Sequence, residues 1–535
     1  MIRSWKGKMV IIFILFFGCL VFLLSGNAAA QKQNQSILAD YKQRLIEEIN
    51  YLMDEEIYLE FLGAREFERL SKKESFFWEE DWRVVKTAAS WGDLSTVKSL
   101  AKKGVALDRF LPDGETPLLA AAAEGHWDLL RYLASQGANV NFTDNKGKNA
   151  LYYAVQAEEE QVVIFLVENG ALVDQSVAGE ITPLMVATQQ GFLEISRYLL
   201  EAGSNVEAEN KRGQTALHLA VIEGHMDIVR LLVSQGANIN AQDNHGATPL
   251  MEAIAAGHRL MTGALLFMPR VDIEAEDDLG WNPLLIAAYQ GNKEIVRVLV
   301  SRGVDINTQT ESGWTPLLAA VSENNLEVAN YLLDQGAAFD IKNSKDWTPL
   351  MEAISKGQSD LVRRLIDKGA AVNRQGMKGL TPLHIAAQEG DLELVNYLLE
   401  KDVRLDQVNN KGVTPLMSAA IGGHFEIVKL FKEQGADLTQ QTSRGVDLLS
   451  LAAYGGHQEV VEYLIESGLD INRSDKEGWT PLIYAAYGGH LPVVEYLLAK
   501  GSKNTPVLEE GWTALEAAQF NANQEVVEFL IEYEN

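Results

Sequence analysis

The tripeptide Thr-Pro-Leu, or a close variant, returns along this chain at a spacing that almost never changes. It stands at Thr116 and recurs at Asn149, Thr182, Thr215, Thr248, Asn282, Thr315, Thr348, Thr381, Thr414, Asp447, Thr480 and Thr513. Every step is 33 residues except that from Thr248 to Asn282, which is 34. A degenerate copy begins at Arg83, with Ala88 and Gly92 at the usual later positions, so fourteen copies run from about residue 82 to 535. A period held over so many copies restricts the chain to a stack of like supersecondary units, each packed on its neighbours.

One copy shows what each unit is. Leu217, Ala220 and Val221 fall at i, i+3, i+4, one face of a short helix that Gly224 ends. The first helical position holds Ala216 in this copy and Pro249 in the next, where a missing N–H is harmless. Ile228, Leu231 and Leu232 repeat the spacing for a second helix, closed by Gly236 as a left-handed cap. Two helices this short cannot bury their apolar faces alone, and small residues such as Ala121, Ala220 and Ala452 let neighbouring helices approach closely. The expected class is all-α, with turns such as Asp243-Asn244-His245-Gly246 between pairs.

The period, together with Thr215-Ala216-Leu217-His218, Gly224-His225 and Gly236-Ala237-Asn238-Ile239-Asn240, resembles ankyrin repeats. The resemblance implies an ankyrin-repeat solenoid of stacked helix pairs whose turns project as hairpin fingers along a concave surface. It also implies a role in binding other proteins rather than in catalysis.

The ends carry separate signals. Arg3, Lys6 and Lys8 precede an apolar run from Met9 to Leu24, and Ala28-Ala29-Ala30 supplies small residues before Gln31. Residues 1–30 read as a signal peptide, the alternative being an uncleaved membrane anchor. Export would place the chain in the periplasm or outside the cell if the host is bacterial. In residues 31–80, Leu38, Tyr41, Leu45, Ile49 and Leu52 recur at helical spacing, as a helical N-terminal cap over the first repeat requires. Glu525, Glu528, Glu532 and Glu534 make the last helix polar, which suits a terminal cap. Met268-Pro269-Arg270 marks the 34-residue step, where either a bend between repeats 6 and 7 or a silent loop insertion is expected.

Little chemistry survives a search for it. The single cysteine, Cys19, lies in the N-terminal apolar run, so no disulfide framework, cysteine zinc site or catalytic thiol is expected in the repeats. Of nine histidines, His126, His225, His258, His424, His457 and His490 share one repeat position, and His218 and His384 share another. Equivalent positions form a line along a stack and not a converging ligand set, so no metal is expected. The Glu158-Glu159-Glu160 cluster reads as a solvated helix start, and no phosphate loop or nucleophile elbow is present. Neither a catalytic residue nor a cofactor is expected. The formal net charge of -28 argues against nucleic acid and anionic membranes as partners.

The position just before the Thr belongs to the hairpin and is free to vary, yet it is Trp281, Trp314, Trp347, Trp479 and Trp512. Seven residues after the Thr position, Tyr289, Tyr454 and Tyr487 stand at the exposed end of the first helix. In the resembled family both positions face the concave groove, which implies one aromatic patch on repeats 7–9 and another on repeats 12–14, linked by Leu380, Val413 and Val446. Trp and Tyr are enriched at binding hot spots. Acidic residues surround them, among them Glu276, Asp277, Asp278, Asp475, Glu477, Glu509 and Glu510. The expected partner is a protein with apolar and basic surface.

Overall fold

The computed structural model describes residues 81–108, 115–177, 180–505 and 511–534. The segments read as a signal peptide or anchor and as an N-terminal cap lie outside the described residues. The chain comprises two compact units, one ending at Leu172 and the other beginning at Val173. Among the described residues there are 28 α-helices, in fourteen consecutive pairs, and no strand beyond the isolated bridges Val177–Ile181 and Gln441–Asp447.

The thirteen pairs that carry the tripeptide or a variant of it start the way that motif dictates. The Thr takes an extended conformation, and its hydroxyl accepts the N–H three residues on, as from Leu318 to Thr315 at 3.2 Å. Pro316 then opens a helix, Pro316–Ser322, in which all seven residues are buried. This is more than the single apolar face that the spacing implied. The first helix is enclosed by its own partner helix and by the first helices of both neighbouring repeats, so its polar positions have become Ala and Ser. The second helix, Leu326–Asp334, buries only Val328, Ala329, Leu332 and Leu333. In the last helix, Gln524–Glu534, only Val526 and Leu530 are buried.

Successive repeats are tied by the residue before the second helix. The Nε2–H of His126 donates to the Ser90 carbonyl at 2.9 Å, His225 to Gln189 at 3.1 Å, and His258 to Ile222 at 2.6 Å. His424, His457 and His490 bond Gln388, Ile421 and Tyr454 at 2.7, 2.8 and 2.8 Å. Asn325 and Asn523 make the same tie to Tyr289 and Tyr487 through their side-chain amides, at 2.6 and 2.8 Å. These carbonyls are orphaned at a helix end, and each tie satisfies one of them.

The 34-residue step falls in the loop after the second helix of repeat 6. Arg270 adopts a left-handed φ of 66° after Pro269. Asn240 then bridges the loop, accepting from Asp272 N–H at 2.8 Å and donating to the Arg270 carbonyl at 2.8 Å. Asn141 and Asn373 make the equivalent bridges across loops of ordinary length.

His218 and His384 fill the third helical position of their repeats. Each Nδ1 accepts the N–H of its capping Thr at 3.2 Å, and each Nε2–H donates to the next hairpin, at the Ala247 and Val413 carbonyls. Both rings are fully buried, and burial holds their pKa below the ordinary histidine value of 6.5. The neutral ring is therefore the folded form, and the stability it confers is present above pH 6.5 and lost as pH falls through the folded value. The urea midpoint is expected to fall between pH 7.5 and pH 5, and His218→Gln with His384→Gln should flatten that dependence.

Candidate protein-binding surface

All eight aromatic residues singled out in the sequence lie in the second unit, the five tryptophans on hairpins and Tyr289, Tyr454 and Tyr487 at the ends of first helices. Asp277 and Trp281 close one hairpin with two bonds, Trp281 N–H to Asp277 Oδ1 at 2.8 Å and Asp277 N–H to the Trp281 carbonyl at 2.9 Å. Thr310 does this for Trp314, Asn343 for Trp347 and Asp475 for Trp479. Adjacent hairpins are linked through Asp278 N–H to the His245 carbonyl, Ser344 to Ser312 and Lys476 to Arg444. Trp281, Trp347 and Trp479 therefore each stand on a backbone fixed both within its hairpin and to the preceding one, and Trp314 on one fixed within its hairpin.

The rings sort into two groups. Trp281 meets Tyr289 edge-on at 5.5 Å and Trp314 at 6.3 Å, and among the described residues these ring contacts do not extend to Trp347. Trp479 is the centre of the larger group, with Tyr484, Tyr487 and Trp512 at 5.2, 5.3 and 5.5 Å. Tyr454, Tyr487 and Phe520 form a ladder of nearly parallel rings, each 6.4 Å from the next. Phe520 also lies edge-on to Trp512 at 4.9 Å. All five tryptophans are half-buried, whereas Tyr289, Tyr454 and Phe520 are exposed, the last at 69%. The connecting stripe is uneven, because Leu380 and Val413 are half-buried and Val446 is buried.

Sequence reasoning missed two members of the larger group. Phe520 stands seven residues after Thr513, in register with Tyr454 and Tyr487, and reading that column for any aromatic residue would have found it. Tyr484 sits four residues after Thr480 and donates its hydroxyl to Asp475 Oδ2 at 2.6 Å. Burial, with the Asp475 carboxylate beside it, pushes that hydroxyl's pKa well up. Tyr153 makes the same bond to Asp144, at 2.7 Å, in the first unit.

The neighbouring acids divide by task. Asp277 and Asp475 are occupied by hairpin N–H groups, and Glu477 pairs with Arg444. Glu276 and Asp278 are exposed, and Glu509 and Glu510 lie outside the described residues. Among the described residues no group of three or more His, Cys, Asp and Glu is placed to hold a metal ion.

A family model described as "Ankyrin repeats (3 copies)" matches residues 85–177, 184–277, 250–343, 284–376, 335–409, 403–475 and 449–535. A curated relative is the ankyrin repeat, SAM and basic leucine zipper domain-containing protein 1 of Carollia perspicillata, 38% identical over 68 residues, 13% of this chain and 14% of that protein. The Mus musculus protein of that name gives the same figures, and that of Ornithorhynchus anatinus is 36% identical over 74 residues, 14% of this chain and 16% of the relative. The chain thus spans only a small part of these relatives' length. Among solved structures, the ankyrin repeat domain of Bcl-3, described as a unique member of the IkappaB protein family, is 29% identical. It covers 41% of this chain and 100% of that one, with a TM-score of 0.37. The overlapping family matches run from residue 85 to residue 535, and the chain belongs to the ankyrin-repeat family.

Proposed function

We propose that this chain is an exported, non-catalytic scaffold that holds a partner protein along the concave face formed by its hairpins and first helices. The observation that carries this reading is the connected ring group of Tyr454, Trp479, Tyr484, Tyr487, Trp512 and Phe520. Large rings held by one another and by hydrogen-bonded hairpins lose little freedom when a partner covers them, and such residues dominate binding energy elsewhere. Exposed Glu276 and Asp278 favour a partner whose apolar contact surface is flanked by basic groups. Export rests on residues 1–30. If that segment is retained, the same surface is tethered to a membrane, and mass spectrometry of the mature N-terminus separates the two readings.

The test is capture from an extract of the source organism on the chain from Gln31 to Asn535. It runs beside a variant with the five tryptophans changed to Ala and another carrying Tyr454→Ser and Phe520→Ser, with folding checked by circular dichroism. A protein held by the native chain and lost from both folded variants is the expected result. Retention of the same proteins by all three would overturn the reading.

A further inference from the structure

Away from the aromatic rows, the second helix of the sixth repeat departs from those of repeats 5 and 7 at three positions along its outer face. Where repeats 5 and 7 carry Asp227 and Glu294, repeat 6 has Leu260, and where they carry Ser234 and Ser301, it has Phe267. Leu260 is 87% exposed and Phe267 79% exposed. An acidic residue at that early position favours a helix through the dipole, and the helix Arg259–Leu266 has none in its first turn. The fold gains nothing from placing these two side chains in water.

Between them lies Gly263, where repeats 5 and 7 have Arg230 and Arg297. Gly263 does not adopt a left-handed φ, and a Cβ built on it would meet nothing within 4 Å. Neither backbone conformation nor internal packing therefore calls for glycine, which costs a helix interior about 1 kcal/mol relative to Ala. What a bare backbone at the half-buried Gly263, between the exposed Leu260 and Phe267, does provide is close approach by something outside the chain. Leu260, Gly263 and Phe267 fall at i, i+3, i+7 and so share one face.

The charges around this face oppose those of the rest of the chain. Arg230 and Arg297 flank it on the neighbouring helices, Arg259 and Arg270 stand at its two ends, and all four are exposed. None of the four takes part in an ion pair among the described residues. Arg302 closes the lower edge by donating to the Leu266 carbonyl. The acids in the same rows are Asp227 and Glu294, so a locally basic surface surrounds an apolar stripe in a chain of net charge -28.

We propose that this helix is a second docking site, separate from the aromatic surface, and that it takes an acidic amphipathic helix of a partner protein. The partner's apolar residues would cover Leu260 and Phe267, its backbone would cross at Gly263, and its flanking carboxylates would meet the arginines.

The test selects binders to the full chain from a displayed library of amphipathic helices with acidic, neutral or basic flanks. Selected helices are then measured against three forms: the native chain, Leu260→Glu with Phe267→Ser, and Gly263→Arg. The double substitution restores the residue types of repeats 5 and 7 and is expected to fold normally, with Gly263→Arg as an independent check. Acidic-flanked helices should be enriched, weaken at least about tenfold on both variants, and weaken as salt rises. They should bind the five-tryptophan variant undiminished. Enrichment without regard to flank charge, or affinity unchanged in both variants, would overturn the proposal. So would phosphatidylglycerol vesicle binding, or dimerisation in sedimentation, that these substitutions abolish, since the face would then serve a membrane or a second copy.

Discussion

Gly456→Ala is expected to destabilise the second unit by about 3 kcal/mol, among the larger effects of a single methyl group. Gly456 has a φ of 77°, a conformation that carries a penalty of about 1 kcal/mol or more for any residue with a Cβ. The greater part comes from His490. A Cβ on Gly456 would lie 2.3 Å from His490 Nδ1, and a Cβ on Gly488 would lie 2.5 Å from His490 Cδ2. The imidazole is held between two glycines and cannot retreat from one without striking the other or giving up its bond to the Tyr454 carbonyl. Gly468→Ala is the control, because Gly468 has a φ of 92° with nothing within 4 Å of its Cβ position, and about 1 kcal/mol is expected there. Adding His490→Ala to Gly456→Ala should therefore destabilise less than the sum of the two single changes. Urea unfolding of the four variants measures all of these terms, and equal losses for Gly456→Ala and Gly468→Ala would show that the histidine contact contributes nothing.

That pairing explains why part of the fold was legible in the sequence and part was not. The helix pairs follow from local rules: a Thr that caps, a Pro tolerated at the first helical position, and apolar residues at helical spacing. The histidines obey a rule between repeats. Gly92, Gly191, Gly390, Gly423 and Gly456 each meet the His 34 residues later, and Gly291 and Gly489 each meet an Asn at the same separation. Where the glycine is replaced, by Glu158 or Asn324, the later residue is Phe192 or Gln358. Read one repeat at a time, His126 or His457 is only a repeated residue, because its bonding partner lies 36 positions earlier.

Solvent exposure was hidden for a different reason. Leu260 and Phe267 look like core when only apolar spacing is counted, since the sequence of one helix does not say which face its neighbours leave open. Only the aligned column, Asp227 and Glu294 against Leu260, marks the position as one that faces water. The tryptophans show the converse. Their column is free of core packing constraints, but in the structure each is half-buried, so an aromatic residue there both packs on its neighbours and presents a remaining edge.

Trp479→Ala should weaken partner binding by about thirtyfold or more, the scale of a hot-spot truncation near 2 kcal/mol, whereas Trp347→Ala should weaken it less than about fivefold. Trp479 touches Tyr484, Tyr487 and Trp512, and removing it leaves three rings without their common support. Tyr487 would lose the neighbour that holds it in the ladder between Tyr454 and Phe520. Trp347 shares no ring contact with Trp314 among the described residues, so its loss removes area at one point only. Phe520→Ala separates support from contact, since Phe520 is exposed and lies at the end of the ladder. A loss at Phe520 nearly as large as that at Trp479 would place the partner directly on the ladder. If Trp479→Ala matters and Phe520→Ala does not, the partner instead sits on the hairpin row. Dissociation constants for the captured partner, measured calorimetrically against the native chain and these variants, decide between the two. Equal, small effects at Trp479 and Trp347 would mean that ring connectivity carries no binding energy and that area alone sets the affinity.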